Sequence, residues 1–210
     1  VFDISLTPDK VIIILFFLGI GFPVHEFFHA WTAYQLGDGT AKLFGRLTLD
    51  PAKHFDPVGG LLFVVSVLLG GFIIGWAKPT PVNPANLRDR RNGEVLVALA
   101  GPGSNLVMAV AGALLFRIVH GAWLQAPFVV LDTLYLFVIY NVMLAIFNLI
   151  PVPPLDGSTV LFRFLDPETA WRARAALAQY GFVVILLGVL LFGQQLGSFI
   201  NQVAVSMLGI

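Results

Sequence analysis

The chain has 210 residues, 58% of them hydrophobic and 11% charged, whereas a soluble domain carries about 25% charged residues; an ordinary water-soluble domain is excluded. Twelve basic and twelve acidic residues balance to a net charge of +0, so no nucleic-acid partner is expected. The absence of cysteine rules out disulfides, thiolate metal ligands and a cysteine nucleophile. Five apolar stretches, residues 11–34, 58–77, 95–119, 128–150 and 181–200, each suffice to cross about 30 Å of hydrocarbon as a helix. The expected class is therefore an all-α polytopic membrane protein in a lipid bilayer, with about four to five transmembrane helices. An opening Val1 in place of Met implies processing or truncation ahead of it.

Asp3 to Lys10 is a short polar lead with Pro8 near a helix start. The first helix is predicted from Val11 to Leu36, ended by Gly37-Asp38-Gly39. It contains FPVHEFFHAWTAY, Phe22 to Tyr34, in which His25, Glu26 and His29 make the pattern H-E-x-x-H. Residues four apart on a helix lie about 40° apart around its axis, so the two imidazoles project from one face and can reach one metal ion. Glu26 is turned by about 100° from His25, placed to accept a proton from water beside that ion. Two imidazoles and a carboxylate are costly in a membrane segment unless paired or bound. Pro23 removes one backbone donor, and a kink or local opening is predicted where the motif begins.

Residues 42–50, KLFGRLTLD, put Leu43, Leu47 and Leu49 on one parity and Lys42, Arg46, Thr48 and Asp50 on the other, with Phe44 and Gly45 breaking the alternation. That period predicts a short, half-exposed β element near the histidine motif, either an ordinary surface strand or one whose edge holds an extended peptide. His54 and Asp56 follow between prolines, as loop or capping residues or as additional ligands. Residues 58–77 are uncharged and interrupted by Gly70, Gly71 and Gly75; the run from Lys78 to Pro84 must be extended. The next helix carries Gly101-Pro-Gly-Ser-Asn105, where Asn105 reads as glue between helices. The helix over 128–150 ends in Asn148-Leu-Ile-Pro-Val-Pro-Pro-Leu-Asp156-Gly157, where three prolines stiffen the chain beside Asp156. A fixed carboxylate there suits a third metal ligand. Arg163, Arg172 and Arg174 mark a basic loop or amphipathic helix before the last span, 181–200.

If all five stretches cross, His29 and Asp156 fall on opposite sides. If 58–77 is instead a re-entrant segment, ten of the twelve basic residues share one side, leaving Lys10 and Arg117 toward the other. The positive-inside rule makes the common side cytoplasmic. Four crossings with a re-entrant segment, and a site displaced toward the cytoplasm, are the expectation.

Together, His25-Glu26-x-x-His29 in a membrane helix and Asn148-x-x-Pro-x-Pro-x-Leu-Asp156-Gly157 at the end of a later one resemble the site-2 protease family of intramembrane zinc metalloproteases. Gly101-Pro-x-x-Asn105, Gly45-Arg-Leu-Thr-Leu-Asp-Pro51 and Gly75-Trp-Ala-Lys-Pro79 are similar to its compact prokaryotic members. The resemblance implies one Zn2+ per chain held by His25, His29 and Asp156, Glu26 as general base, and Asn148 near the substrate carbonyl or developing oxyanion. It implies a single intramembrane metalloprotease domain over 1–210, with a catalytic core at about 11–165 and the C-terminal helix at 181–200. The implied activity is hydrolysis of membrane-anchored protein substrates within or near the bilayer of a prokaryotic cell. A membrane metal-binding or metal-transport protein without proteolysis is the competing reading; it leaves Glu26 unexplained.

Overall fold

The structure, a computed structural model, describes residues 7–69, 75–121 and 126–210. The polar lead before Thr7 and the glycines at 70 and 71 lie outside the described residues. The chain divides into two compact units, Val1–Leu87 and Arg88–Ile210. Four helical stretches among the described residues are long and apolar enough to cross a membrane: Lys10–Gln35, Arg90–Gly121, Phe128–Asn148 and Glu168–Leu208.

In the first unit, α1 (Pro8–Phe16) and α2 (Phe22–Gln35) are joined through a π-helical turn, Phe17–Gly21. Its i→i−5 bond runs from the Phe22 N–H to the Phe17 carbonyl. Pro23 supplies the reason: without an N–H it can satisfy neither the fourth nor the fifth preceding carbonyl, and the widened turn absorbs the mismatch. The rings of Phe17, Phe22 and Phe63 pack around this turn with centroids 5.0–5.8 Å apart.

Helices α3 (Thr40–Leu43) and α4 (Pro51–His54) are single turns, and α5 (Pro57–Leu69) is a 13-residue apolar helix. At 1.5 Å per residue α5 spans about 20 Å, short of a bilayer core. Asp56 caps it by accepting the N–H groups of Val58 (3.0 Å) and Gly59 (2.8 Å). Lys10 Nζ donates to the Leu68 carbonyl near its other end at 3.1 Å. The chain returns to where it left, because the Lys78 N–H donates to the His54 carbonyl at 2.8 Å. An irregular, proline-rich strap from Gly75 then leads into a 3-10 turn at Pro84–Asn86.

The expected β element is corrected: no strand occurs among the described residues. Residues 40–43 are the helical turn α3, and Gly45 (φ +66°) closes it in a left-handed cap. The Arg46 N–H bonds to the Ala41 carbonyl at 2.8 Å and the Gly45 N–H to the Lys42 carbonyl at 3.0 Å, the two bonds of a Schellman motif. Thr48 gives its carbonyl to His54, and Asp50 caps α4 through the Ala52 N–H. Caps consume the polar groups a strand would need for a ladder. Leucine alternation over so short a stretch does not outweigh a glycine in the left-handed region.

The second unit contains α6 (Arg90–Gly121), α7 (Phe128–Asn148), α8 (Gly157–Phe164) and α9 (Pro167–Leu208). Its core joins Ala109, Ala113 and Phe116 of α6, Val138 and Val142 of α7, and Ile200, Ala204 and Leu208 of α9. Small residues on α6 bring the helices close; a Cβ on Gly112 would sit 2.7 Å from the Phe137 ring. Asn105 Nδ2 donates to Asn141 Oδ1 at 3.2 Å, a bond between α6 and α7 with both residues fully buried. At 42 residues, α9 is about 63 Å long. It extends beyond 181–200 at both ends, because Asp166 caps its start through the Thr169 N–H and Ile200, Ala204 and Leu208 pack its end into the core.

Candidate metal centre

His25 and His29 lie one turn apart on α2, 6% and 7% exposed. Their Nε2 atoms approach to 3.0 Å, with the rings nearly perpendicular at 82°. Two neutral imidazoles cannot turn lone pairs on each other at that distance; a proton or a cation must lie between them. Two nitrogens held about 2.0–2.1 Å from one tetrahedral ion stand about 3.3 Å apart, so the pair fits a shared metal with little adjustment.

Asp156 comes from the other motif, at the start of α8. The loop leading to it is tightly wound: Val152 N–H bonds to the Ile150 carbonyl, Leu155 N–H to Val152, and Ser158 N–H to Leu155, at 2.8–3.1 Å. The Pro153-Pro154 peptide is cis. Two glycines permit close backbone approach here. A Cβ on Gly157 would lie 2.1 Å from the Leu149 carbonyl oxygen, and one on Gly181 of α9 would lie 2.1 Å from that of Pro153. No side chain fits at either place, so the loop is set by close backbone packing, within itself at Gly157 and against α9 at Gly181.

Among the described residues, His25, His29 and Asp156 form a group whose ligand atoms all lie within 4.8 Å of one another and could hold a metal ion. Two imidazole nitrogens and one carboxylate oxygen are the donor set of a catalytic zinc site, which leaves a fourth position open. His54 and Asp56 are not in this group. His54, 2% exposed, is bonded through Nε2 to the Thr48 carbonyl at 2.7 Å, and the carboxylate of Asp56 is engaged in capping α5. Asn148 is the last residue of α7; its Nδ2 donates to the Leu144 carbonyl at 2.9 Å.

Glu26 is held by a residue that sequence reading passed over. The Thr80 N–H donates to Glu26 Oε2 at 2.8 Å, and Thr80 Oγ1 donates to the Glu26 carbonyl at 3.0 Å. The available signal was Thr80 between Pro79 and Pro81, where it carries the one amide proton of the three positions. Asp38 was passed over as well. It is fully buried and accepts from the Thr40 N–H and hydroxyl, the Asn83 N–H and Asn86 Nδ2. Burial pushes its pKa upward, but the bonds from Thr40, Asn86 and Asn83 together outweigh that and hold it below the usual 3.8.

The model of peptidase family M50 matches residues 116–189. YwhC of Bacillus subtilis, named as a candidate zinc metalloprotease, is 41% identical over 204 residues, covering 95% of this chain and 86% of that one. Proteins named Rip2, from Mycolicibacterium smegmatis and Mycobacterium tuberculosis, are 36% and 35% identical over 165 and 170 residues. They too are named as candidate zinc metalloproteases, and each match covers 78% of this chain and 61% of the relative. No solved structure matches the chain.

Proposed function

The chain belongs to peptidase family M50, the site-2 protease family of zinc metalloproteases, and from that premise we propose that it is an intramembrane zinc endopeptidase acting on membrane-anchored proteins within or near the bilayer. The observation that carries this reading is the convergence of His25, His29 and Asp156 on ligand distances within 4.8 Å, beside a carboxylate, Glu26, one position from the first ligand.

His25 and His29 would hold one Zn2+ through Nε2, and Asp156 through a carboxylate oxygen. When bound, the ion would supply a Lewis acid and would lower the pKa of a bound water toward about 7. Glu26 takes a proton from the attacking water as the oxygen bonds to the scissile carbonyl carbon. It then delivers that proton to the amide nitrogen as the C–N bond breaks, so the carboxylate ends as it began. Asn148 keeps a second amide N–H beyond the one given to Leu144, which suits it to hold the substrate carbonyl. Substrate helices must unwind locally, since a hydrogen-bonded helix hides its carbonyls.

Four apolar helices and bacterial relatives make this an integral membrane protein of prokaryotic type. The clustering of ten of twelve basic residues in three stretches, 42–53, 78–91 and 163–174, supports a site facing the cytoplasm; we take residues 1–210 to act as one protease domain. The test is zinc per chain in detergent-purified protein, alongside Asp156→Ala and Glu26→Gln. Near-stoichiometric zinc that collapses in Asp156→Ala, and persists in Glu26→Gln while cleavage is lost, is the expected result. Zinc indifferent to Asp156→Ala would break the ligand set, and metal transport surviving Glu26→Gln would favour the non-proteolytic reading.

A further inference from the structure

The strap from Gly75 to Asn86 has no regular structure before Pro84, yet it is fastened along its length. Arg46, 5% exposed, donates through Nη2 to the Lys78 carbonyl at 2.9 Å and the Pro79 carbonyl at 3.2 Å. The Lys78 N–H is bonded to the His54 carbonyl. Downstream, the Asn83 N–H and Asn86 Nδ2 are bonded to the buried carboxylate of Asp38 at 2.7 and 3.0 Å. Thr80 lies between these anchors, with its N–H on Glu26 Oε2 and its hydroxyl on the Glu26 carbonyl.

A glutamate side chain has three rotatable bonds, and one hydrogen bond to a carboxylate oxygen still leaves it free to swing. Two contacts from one residue, one to the main chain and one to the side-chain end, remove most of that freedom. Prolines on both sides restrict how Thr80 itself can turn. A buried guanidinium given over to two successive carbonyls is an expensive way to hold a loop unless its position matters. The geometry points to Thr80 as a positioning residue for Glu26, presented by a strap that Arg46 and Asp38 hold in register. One carboxylate oxygen is thereby fixed, and the other exchanges the proton. This inference rests on the reading of Glu26 as general base.

The test uses full-length protein in detergent and fluorescently labelled casein, an unfolded chain whose carbonyls need no unwinding. Thr80→Val keeps the N–H and the shape but deletes the hydroxyl; Thr80→Pro deletes both donors; Thr80→Ser keeps both. Thr80→Val lowers kcat about tenfold and Thr80→Pro about a hundredfold, with KM and zinc per chain unchanged, while Thr80→Ser stays within about twofold of the parent. Adding Thr80→Val to Glu26→Gln produces no further loss, because the group being positioned is already disabled. By mass spectrometry, amide exchange at Thr80 is protected in the parent and accelerates in Glu26→Ala.

A kcat unmoved by either variant, or a fall in kcat matched by a fall in zinc content, would overturn the positioning role while leaving Glu26→Gln to report on the protease reading. A Glu26→Gln protein that cleaves like the parent, or a zinc-loaded parent that leaves casein intact, would overturn that reading. The Thr80 amide then still decides the contact, since exchange equally slow in Glu26→Ala excludes it.

Discussion

Replacing Gly157 by alanine adds one methyl group beside the proposed ligand Asp156, and its consequence can be worked from the backbone. The new Cβ would stand 2.1 Å from the Leu149 carbonyl oxygen, 2.4 Å from its carbon and 2.7 Å from the Ile150 oxygen. An ordinary contact begins near 3.4 Å, so the turn must open by about 1.3 Å. The obstacles are main-chain atoms and cannot be relieved by a rotamer change. Asp156 shares that turn, and a catalytic group displaced by about 1 Å can lose about a hundredfold. Gly157→Ala is therefore expected to weaken zinc binding by about 10- to 100-fold, read by competition with a fluorescent chelator. Gly103→Ala in α6, where nothing lies within 4 Å of the added Cβ, is the matched control. It should keep parental affinity and gain up to about 1 kcal/mol of stability. Parental zinc affinity in Gly157→Ala would refute the idea that this turn sets the carboxylate as a rigid ligand.

Asp38→Asn should destabilise the protein by about 2–4 kcal/mol at pH 7, since four donors lose a buried anionic acceptor. The folded pKa of Asp38 lies below its unfolded value, so its contribution is complete above about pH 4 and fades as pH falls through the folded pKa. Unfolding in detergent followed at pH 7 and pH 3 should show parent and variant converging at the lower pH; a constant difference would contradict the assignment. For topology, Asn86 Nδ2 lies 3.4 Å from Thr40 Oγ1, so Thr40→Cys and Asn86→Cys are expected to label from the same face in sealed vesicles. Labelling from opposite faces would exclude the re-entrant path.

Much of the centre was legible because its chemistry is local. The spacing of His25 and His29 needs only a helix to bring the imidazoles together, and the prolines around Asp156 announce a stiff turn without any knowledge of its neighbours. Spans were equally accessible through hydropathy, since the backbone in hydrocarbon must satisfy itself as helix. Asn105 was recognised as needing a partner at depth, but Asn141 as that partner was not, because a separation of 36 positions carries no signal of their pairing. The same holds for Thr80 with Glu26, separated by 54 positions, and for Asp38 with Asn83. The strand at 42–50 failed for the opposite reason: a local pattern was read correctly but outvoted by local caps, Gly45 and Asp50 each committing their neighbours to a turn. Alternation counts side chains, whereas a strand requires backbone groups left over for a neighbour.

The π turn at Phe17–Gly21 divides the first span into two segments whose angular phases are independent of each other. Ahead of it, Lys10 is tied to the end of α5; beyond it, His25 and His29 lie in the group that could hold a metal ion. In an unbroken α-helix each added or lost residue would swing one of these faces by about 100° relative to the other. A wide turn is a place where such a change can be absorbed. The rim of this span and its reactive face can therefore drift apart in length during evolution without either being turned away from what it holds.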